Sequence, residues 1–275
     1  MARGSGGSGR RVVLVAAFAV SFVAAALLSS RVVSSRVLAR GRPTPPLAAY
    51  AGAPLAALPS AFDIRRLVSL GDPTAHTRWA PVLRATVARN EPSPKAVPVG
   101  RLPTITPDGT TNIVVADGEA DVDGATWVRV GLSVLPNDTE GWVPRSSLGG
   151  WSFVDTRLVI DRARLSATLY RAGRAIFRAR VGVGASGTPT PAGQFYVRDR
   201  LSGFSSPIYG PLAFGTNARS PTLTDWPGGG VVGIHGTDQP ALIPGRISHG
   251  CVRLTNAAIL KLGKLMEVGT PVTIE

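Results

Sequence analysis

Cysteine is almost missing from this chain. Cys251 is the one thiol in 275 residues, so no intrachain disulfide can form. Histidine is nearly as scarce, with three residues at positions 76, 235 and 249. Acidic residues are absent from positions 1–45, which hold seven arginines and thereby supply more than half of the net charge of +13. The remaining basic residues are scattered, and no run of them interleaves with aromatics as a nucleic-acid surface requires. That excludes nucleic acid as the expected partner; a mildly basic surface facing a polyanion such as a cell wall or membrane accounts for the charge. No unit of 20 to 50 residues repeats, which excludes a solenoid.

The N-terminus carries Arg3, Arg10 and Arg11 before an uncharged apolar run from Val12 to Leu28, broken by Ser21 alone. A basic patch followed by such a run reads as a secretory signal or a membrane anchor, and its length sits at the short edge of a bilayer span. No Ala-x-Ala cleavage site stands out, so residues 1–30 are expected to stay as an anchor with the C-terminal bulk outside the cytoplasm, in the cell envelope. Structural cysteines in exported proteins usually come in pairs. An unpaired one is therefore either inert through burial or retained for chemistry. Residues 31–83 are rich in Pro and Ala, with prolines at 43, 45, 46, 54 and 59. They read as an extended stalk, with a short helix around Phe62–Leu70 and His76 on the surface.

Two β-rich units follow, so the fold class expected is mainly β. Over 84–149, "TNIVVADGEADVDGATWVRVGL" gives strand-like runs separated by Asp/Gly turns. Over 155–275, a turn at Gly173 divides two strand-like runs, and "ASGTPTPAGQFYV" places a punctuated loop before a strand at Gln194–Val197. The end reads as a helix and then a strand: Thr255 or Asn256 caps the start, Ile259, Leu262 and Met266 repeat at helical spacing, and Gly269 with Pro271 closes it.

The chemistry concentrates in "VVGIHGTDQPALIPGRISHGCVRLTN". His235 lies 16 residues before Cys251, and His249 two before it. A cysteine needs a base or a nearby cation to act as a thiolate at neutral pH, and an imidazole supplies either. His249 is adjacent in sequence, yet side chains at i and i+2 on a strand lie well apart; His235 reaches the thiol if it stands on a neighbouring strand. Spacing alone leaves that choice open. Gly250 lets a substrate carbonyl approach a backbone whose N–H groups hold an oxyanion. The same three residues fit structural zinc poorly, because no second close pair of ligands exists. No metal or cofactor is expected.

With these residues in view, "SHGCVRL" after an upstream "HG" resembles the signature of the L,D-transpeptidase catalytic domain of bacterial cell-wall enzymes, and "GTPTPAGQFYV" is similar to a second block of that family. The resemblance covers 155–275. It implies that Cys251 is the nucleophile, His235 the general acid–base, and His249 the motif's second histidine. It implies too that the Gly236 carbonyl orients the imidazole, that the backbone of Gly250 and Cys251 holds the oxyanion, and that Ser248 and Arg253 belong to the substrate side of the site. Arg253 either contacts the donor peptide or braces the loop. The implied reaction is transfer of a peptidoglycan tetrapeptide stem through a thioester, with release of D-alanine and formation of 3→3 cross-links, and the implied inhibitors are carbapenems. Hydrolysis or D-amino-acid exchange by the same acyl-enzyme, or a non-catalytic wall-binding protein, are the alternatives. Residues 84–149 resemble a bacterial SH3-like domain through Trp127-Val128-Arg129-Val130 and Gly141-Trp142-Val143. There the two tryptophans are expected to fill a small barrel core, and the resemblance implies a peptide- or wall-binding groove. Tyr209 and Trp226 either line the donor cleft or pack in the core.

Overall fold

A computed structural model describes residues 76–223 and 230–275, together with the backbone of Val68–Ser69. The expected anchor (1–30), most of the stalk and Trp226 lie outside the described residues; of the helix expected around Phe62–Leu70, the described part, Val68–Ser69, is instead a strand paired with Gly118–Glu119. Among the described residues, no helix is long and apolar enough to cross a membrane. His76 is exposed, as expected.

The first sheet is built from β1 (Val68–Ser69), β2 (Thr77–Pro81), β3 (Thr86–Arg89), β4 (Pro98–Leu102), β5 (Ile113–Val122), β6 (Ala125–Gly131), β7 (Glu140–Pro144) and β8 (Ser152–Val154). Its order is β4-β3-β7-β6-β5-β2-β8, with β1 on β5, and every pairing is antiparallel. The turn between β5 and β6 has Asp123 and Gly124 both at positive φ, the tight hairpin that an Asp-Gly pair favours. The sheet is wider than 84–149. It reaches back to β2, because Ala80 and Val82 are fully buried beside Val114, Val128, Val130 and Val143, and forward to β8. Trp127 and Trp142 do not fill this core. Their strand neighbours Val128 and Val143 take the inward side, and the two indoles bury with Ala120 in a separate small cluster.

The second sheet contains β9 (Thr156–Asp161), β10 (Ser166–Arg171), β11 (Arg174–Arg180), β12 (Gly182–Gly184), β13 (Gly193–Ser202), β14 (Leu212–Arg219), β15 (Val231–His235), β16 (Gly245–Ser248), β17 (Val252–Arg253) and β18 (Pro271–Ile274), with helix α1 (Asn256–Leu262) packed on β14. The order is β11-β10-β9-β18-β13-β14-β15-β17-β12-β16. Phe214, Leu158, Ile160, Leu169, Ile234 and Leu254 are fully buried in its core. Thr255 caps α1 by accepting the Ala258 N–H at 3.3 Å. The helix stops at Leu262 rather than running on to Gly269. Gly263, its C-cap, lies so close to Leu212 that a Cβ there has no room, and the chain turns away while Met266 stays buried.

The two sheets belong to one compact unit. Their contact is polar and specific. The Tyr196 hydroxyl donates to Gly131 O at 3.1 Å, Asn217 Nδ2 donates to Leu132 O at 3.3 Å, and the Gln194 N–H donates to Asp138 Oδ1 at 2.8 Å. Gly269 is pressed against the Trp79 indole, with no space for a side chain between them.

Candidate active site

Neighbouring strands bring the chemistry together. β15 and β17 pair in parallel, with Ile234 beside Val252 and His235 beside Arg253. That register sets Gly233 next to Cys251, and the Gly233 N–H donates to Cys251 Sγ at 3.3 Å. Residues two apart on a strand share a face, so Gly233 and His235 line up against Cys251 and Arg253 on one side of the sheet. Gly233 carries no side chain to fill the gap. A Cβ there would stand 3.8 Å from Cys251 Sγ and 3.9 Å from His235 Cδ2. The cross-strand pairing brings His235 alongside the thiol; His249 is exposed and borders the same cavity.

His235 is buried, and its Nδ1 lies 2.6 Å from Gly236 O. A carbonyl only accepts, so Nδ1 carries the proton and Nε2 presents its lone pair. Burial pushes this imidazole down to about 4, with the Gly236 carbonyl pulling the other way and the Arg253 charge adding to the depression. Tyr209 meets the ring edge-on at 5.1 Å between centroids. Gly236 can hold this position because it has no Cβ: Gly210 Cα and Pro211 Cδ would each lie 3.0 Å from one, and Asn256 Oδ1 closer still. Asn256 in turn accepts the Thr237 N–H at 2.9 Å.

Burial pushes the Cys251 thiol above the ordinary cysteine range, while the Gly233 N–H and the Arg253 charge draw it back. At neutral pH the resting pair is thus a neutral thiol beside a neutral imidazole. No preformed ion pair is present, and the proton must leave sulfur as the bond to substrate forms. Arg253 Nε is buried with no hydrogen-bond partner, an orphan donor beside the reacting groups.

The turn that presents the cysteine is held from inside. Gly250 adopts φ +120, open to glycine and strained for other residues. Ser248 Oγ accepts the Gly250 N–H at 3.1 Å and donates to Cys251 O at 2.5 Å. Ser248 thus braces the turn through both its hydroxyl proton and an oxygen lone pair. Of the two N–H groups expected to face an oxyanion, that of Gly250 donates to Ser248 Oγ in this turn. A cavity of about 160 Å³ opens over Cys251, bounded by His235, His249, Arg253, Tyr209, Ser220 and Val232.

Several residues of this arrangement escaped sequence reasoning. Thr190 is fully enclosed and bridges the site, accepting the Gly184 N–H at 2.8 Å and donating to Gly250 O at 2.8 Å. Thr188 Oγ1 donates to Ser248 O at 3.2 Å. Both lie in "GTPTPAG", where the motif was visible but its threonines were not singled out. Gly233 had no local signal, and Asn256 was read as a possible helix cap but not as a neighbour of the site.

Comparison with known proteins bears on the same segment. Residues 155–274 match the YkuD family model, the L,D-transpeptidase catalytic domain. The candidate L,D-transpeptidase YkuD of Bacillus subtilis (strain 168) is 34% identical over 94 residues, 34% of this chain and 50% of that protein. Its counterpart from Bacillus licheniformis is 29% identical over 118 residues, 43% of this chain and 64% of the relative. The chain thus spans between half and two thirds of the length of these relatives. An NMR structure of the catalytic domain of the E. faecium L,D-transpeptidase is 28% identical, with 44% of this chain and 97% of that one covered, at a TM-score of 0.34. Cys251, His235 and the bridging Thr190 all fall inside the matched L,D-transpeptidase segment.

Proposed function

We propose that the protein is an exported, membrane-anchored L,D-transpeptidase that joins peptidoglycan stems through a Cys251 thioester. The observation that carries this reading is the orientation of His235. Its Nδ1–H is tied to Gly236 O, its Nε2 is unprotonated, and it stands on the strand beside Cys251 in a small cleft. The match of 155–274 to the transpeptidase domain supports it.

A tetrapeptide stem enters with its third residue at the thiol. Cys251 Sγ attacks that residue's carbonyl carbon while its proton passes to His235 Nε2, and the oxyanion takes the Cys251 N–H. The tetrahedral intermediate collapses, the C–N bond to the terminal D-alanine breaks, and the imidazolium returns its proton to the departing amine. The side-chain amine of a second stem's third residue then attacks the thioester and gives a proton to Nε2. The C–S bond breaks, the sulfur is reprotonated, and a 3→3 cross-link results. Starting from a neutral thiol suits this cycle: the thiolate exists only while a carbonyl is in place, and the imidazole, depressed by burial, does not hold its proton long. Arg253, with its orphan Nε, contacts the donor peptide, and His249 lines the entrance. The first sheet holds the enzyme against the wall as an SH3-like module.

Intact-mass spectrometry after incubation with a carbapenem tests the reading, with Cys251→Ala and His235→Ala alongside. A one-drug adduct on the wild type and none on Cys251→Ala is expected, followed by 3→3 dimers when disaccharide tetrapeptides are supplied. A folded wild type that takes up no drug and makes no dimer would remove the assignment.

A further inference from the structure

The β14–β15 ladder is broken where it approaches the cleft. Gly215 pairs with Gly233 and Arg219 with Val231, and the register shifts between them, so residues 216–218 lose their regular partners. Part of the loss is met locally: Thr216 Oγ1 donates to Val232 O at 2.6 Å and accepts the Ala218 N–H at 3.2 Å. Beyond the shift, the end of the strand is held by the first sheet. Asn137, in the turn between β6 and β7, accepts the Arg219 N–H at 2.8 Å through Oδ1 and donates to Arg219 O at 2.8 Å through Nδ2. Its primary amide thus stands in for a neighbouring strand across both polar groups of one residue. Arg219 Nε also donates to Ser133 O and Oγ at 3.1 Å, and Arg198 Nη1 reaches the same Oγ at 3.3 Å.

The next residue, Ser220, is a wall of the catalytic cavity. It is buried, its N–H donates to Gly230 O at 2.8 Å, and its Oγ accepts the Leu223 N–H at 3.2 Å. A Cβ on Gly250 would stand 4.0 Å from that Oγ. One peptide unit therefore separates the side-chain clamp of the first sheet from the wall of the cleft that holds Cys251.

We infer that Asn137, supported by Ser133, is a positioning residue for the catalytic cleft: it holds the bulged end of β14 so that Ser220 faces Cys251. The first sheet is then a working part of the active site as well as an attachment module. This rests on the acyl-enzyme reading above for its kinetic test and is independent of it for its structural one.

The test uses the full chain and three variants. Asn137→Ala removes the clamp, Ser133→Ala removes its side-chain support, and Tyr196→Phe removes a buried inter-sheet hydroxyl that lies away from Ser220. Two rates are read at matched folded fraction: acylation of Cys251 by a carbapenem and its alkylation by iodoacetamide across pH. Amide hydrogen exchange over 219–223 and 230–235 is followed in parallel. Misplacement of a cleft wall should slow acylation on the order of ten-fold in Asn137→Ala and less in Ser133→Ala. The alkylation profile, set by the thiol's own surroundings, should keep its shape, and exchange at Ser220 and Leu223 should quicken. Tyr196→Phe should lower stability with neither effect. Equal losses in Asn137→Ala and Tyr196→Phe would show a merely structural interface and overturn the proposal, as would unchanged exchange at Ser220. If Asn137→Ala does not fold, Ser133→Ala decides. A wild type that is never acylated, with the exchange pattern as expected, would leave the positioning role standing and remove the transpeptidase reading alone.

Discussion

Replacing His235 by Asn makes a sharp test of the buried imidazole, because Asn Nδ2 occupies nearly the place of the histidine Nδ1 and can keep the bond to Gly236 O. The folded-state value of about 4 lies below the ordinary 6.5. The unfolded chain therefore binds a proton that the native state refuses, and stability falls as pH drops through the interval from 6.5 to 4. His235 contributes its full share above pH 6.5 and has lost it at pH 4 and below. The shift corresponds to about 3 kcal/mol, at about 1.4 kcal/mol per unit. Other groups titrate in the same window with the opposite sign. Burial and the neighbouring Asp117 raise Glu140 to about 7, so its protonation favours the folded state as pH falls. The comparison must therefore be between wild type and variant, not between two pH values of the wild type. Urea denaturation followed by tryptophan fluorescence at pH 7 and pH 4 would measure it. The wild type is expected to lose about 3 kcal/mol more than His235→Asn across that interval. Equal losses in the two proteins would refute a buried neutral His235 and, with it, the proton route of the proposed mechanism.

Thr190→Val keeps the shape of a fully buried side chain and removes two hydrogen bonds, leaving the Gly184 N–H without its acceptor. A cost of about 2–4 kcal/mol should appear as a lowered melting temperature together with slower acylation, since Gly250 O loses its restraint. Gly236→Ala forces a Cβ against the Gly210 backbone and Asn256. Calorimetry should show a loss of about 1–3 kcal/mol, and acylation should fall further as the imidazole tilts. Alkylation of Cys251 by iodoacetamide should be slow at pH 7 and climb only in the alkaline range, because the thiol is raised by burial. A thiol fully reactive at pH 6, monitored by mass, would indicate a resting ion pair instead.

Much of the site was legible residue by residue. A lone thiol after His-Gly, the glycines at 236 and 250, the Thr255 cap and the Asp-Gly hairpin each announce a local chemistry or a local backbone shape, and such features depend on neighbours in sequence. What sequence left open concerned partners distant along the chain. The approach of His235 to the thiol comes from the parallel register of β15 against β17, which a linear spacing of 16 residues does not encode. The engagement of Ser248 within its own turn, and the commitment of the Gly250 N–H, follow from how that turn closes. Helix α1 ended at Leu262, with Gly263 packed where Leu212 leaves no room for a side chain, although the hydrophobic spacing continued to Met266. The tryptophans at 127 and 142 were correctly read as buried and wrongly assigned to the main core, since which face of a strand points inward is settled by the sheet it joins. The amide of Asn137 reaches Arg219 across 82 positions of sequence. Local backbone preference and residue chemistry belong to the sequence alone. Strand register and the meeting of the two sheets are properties of the packed whole, because only there does each buried donor find which acceptor is left.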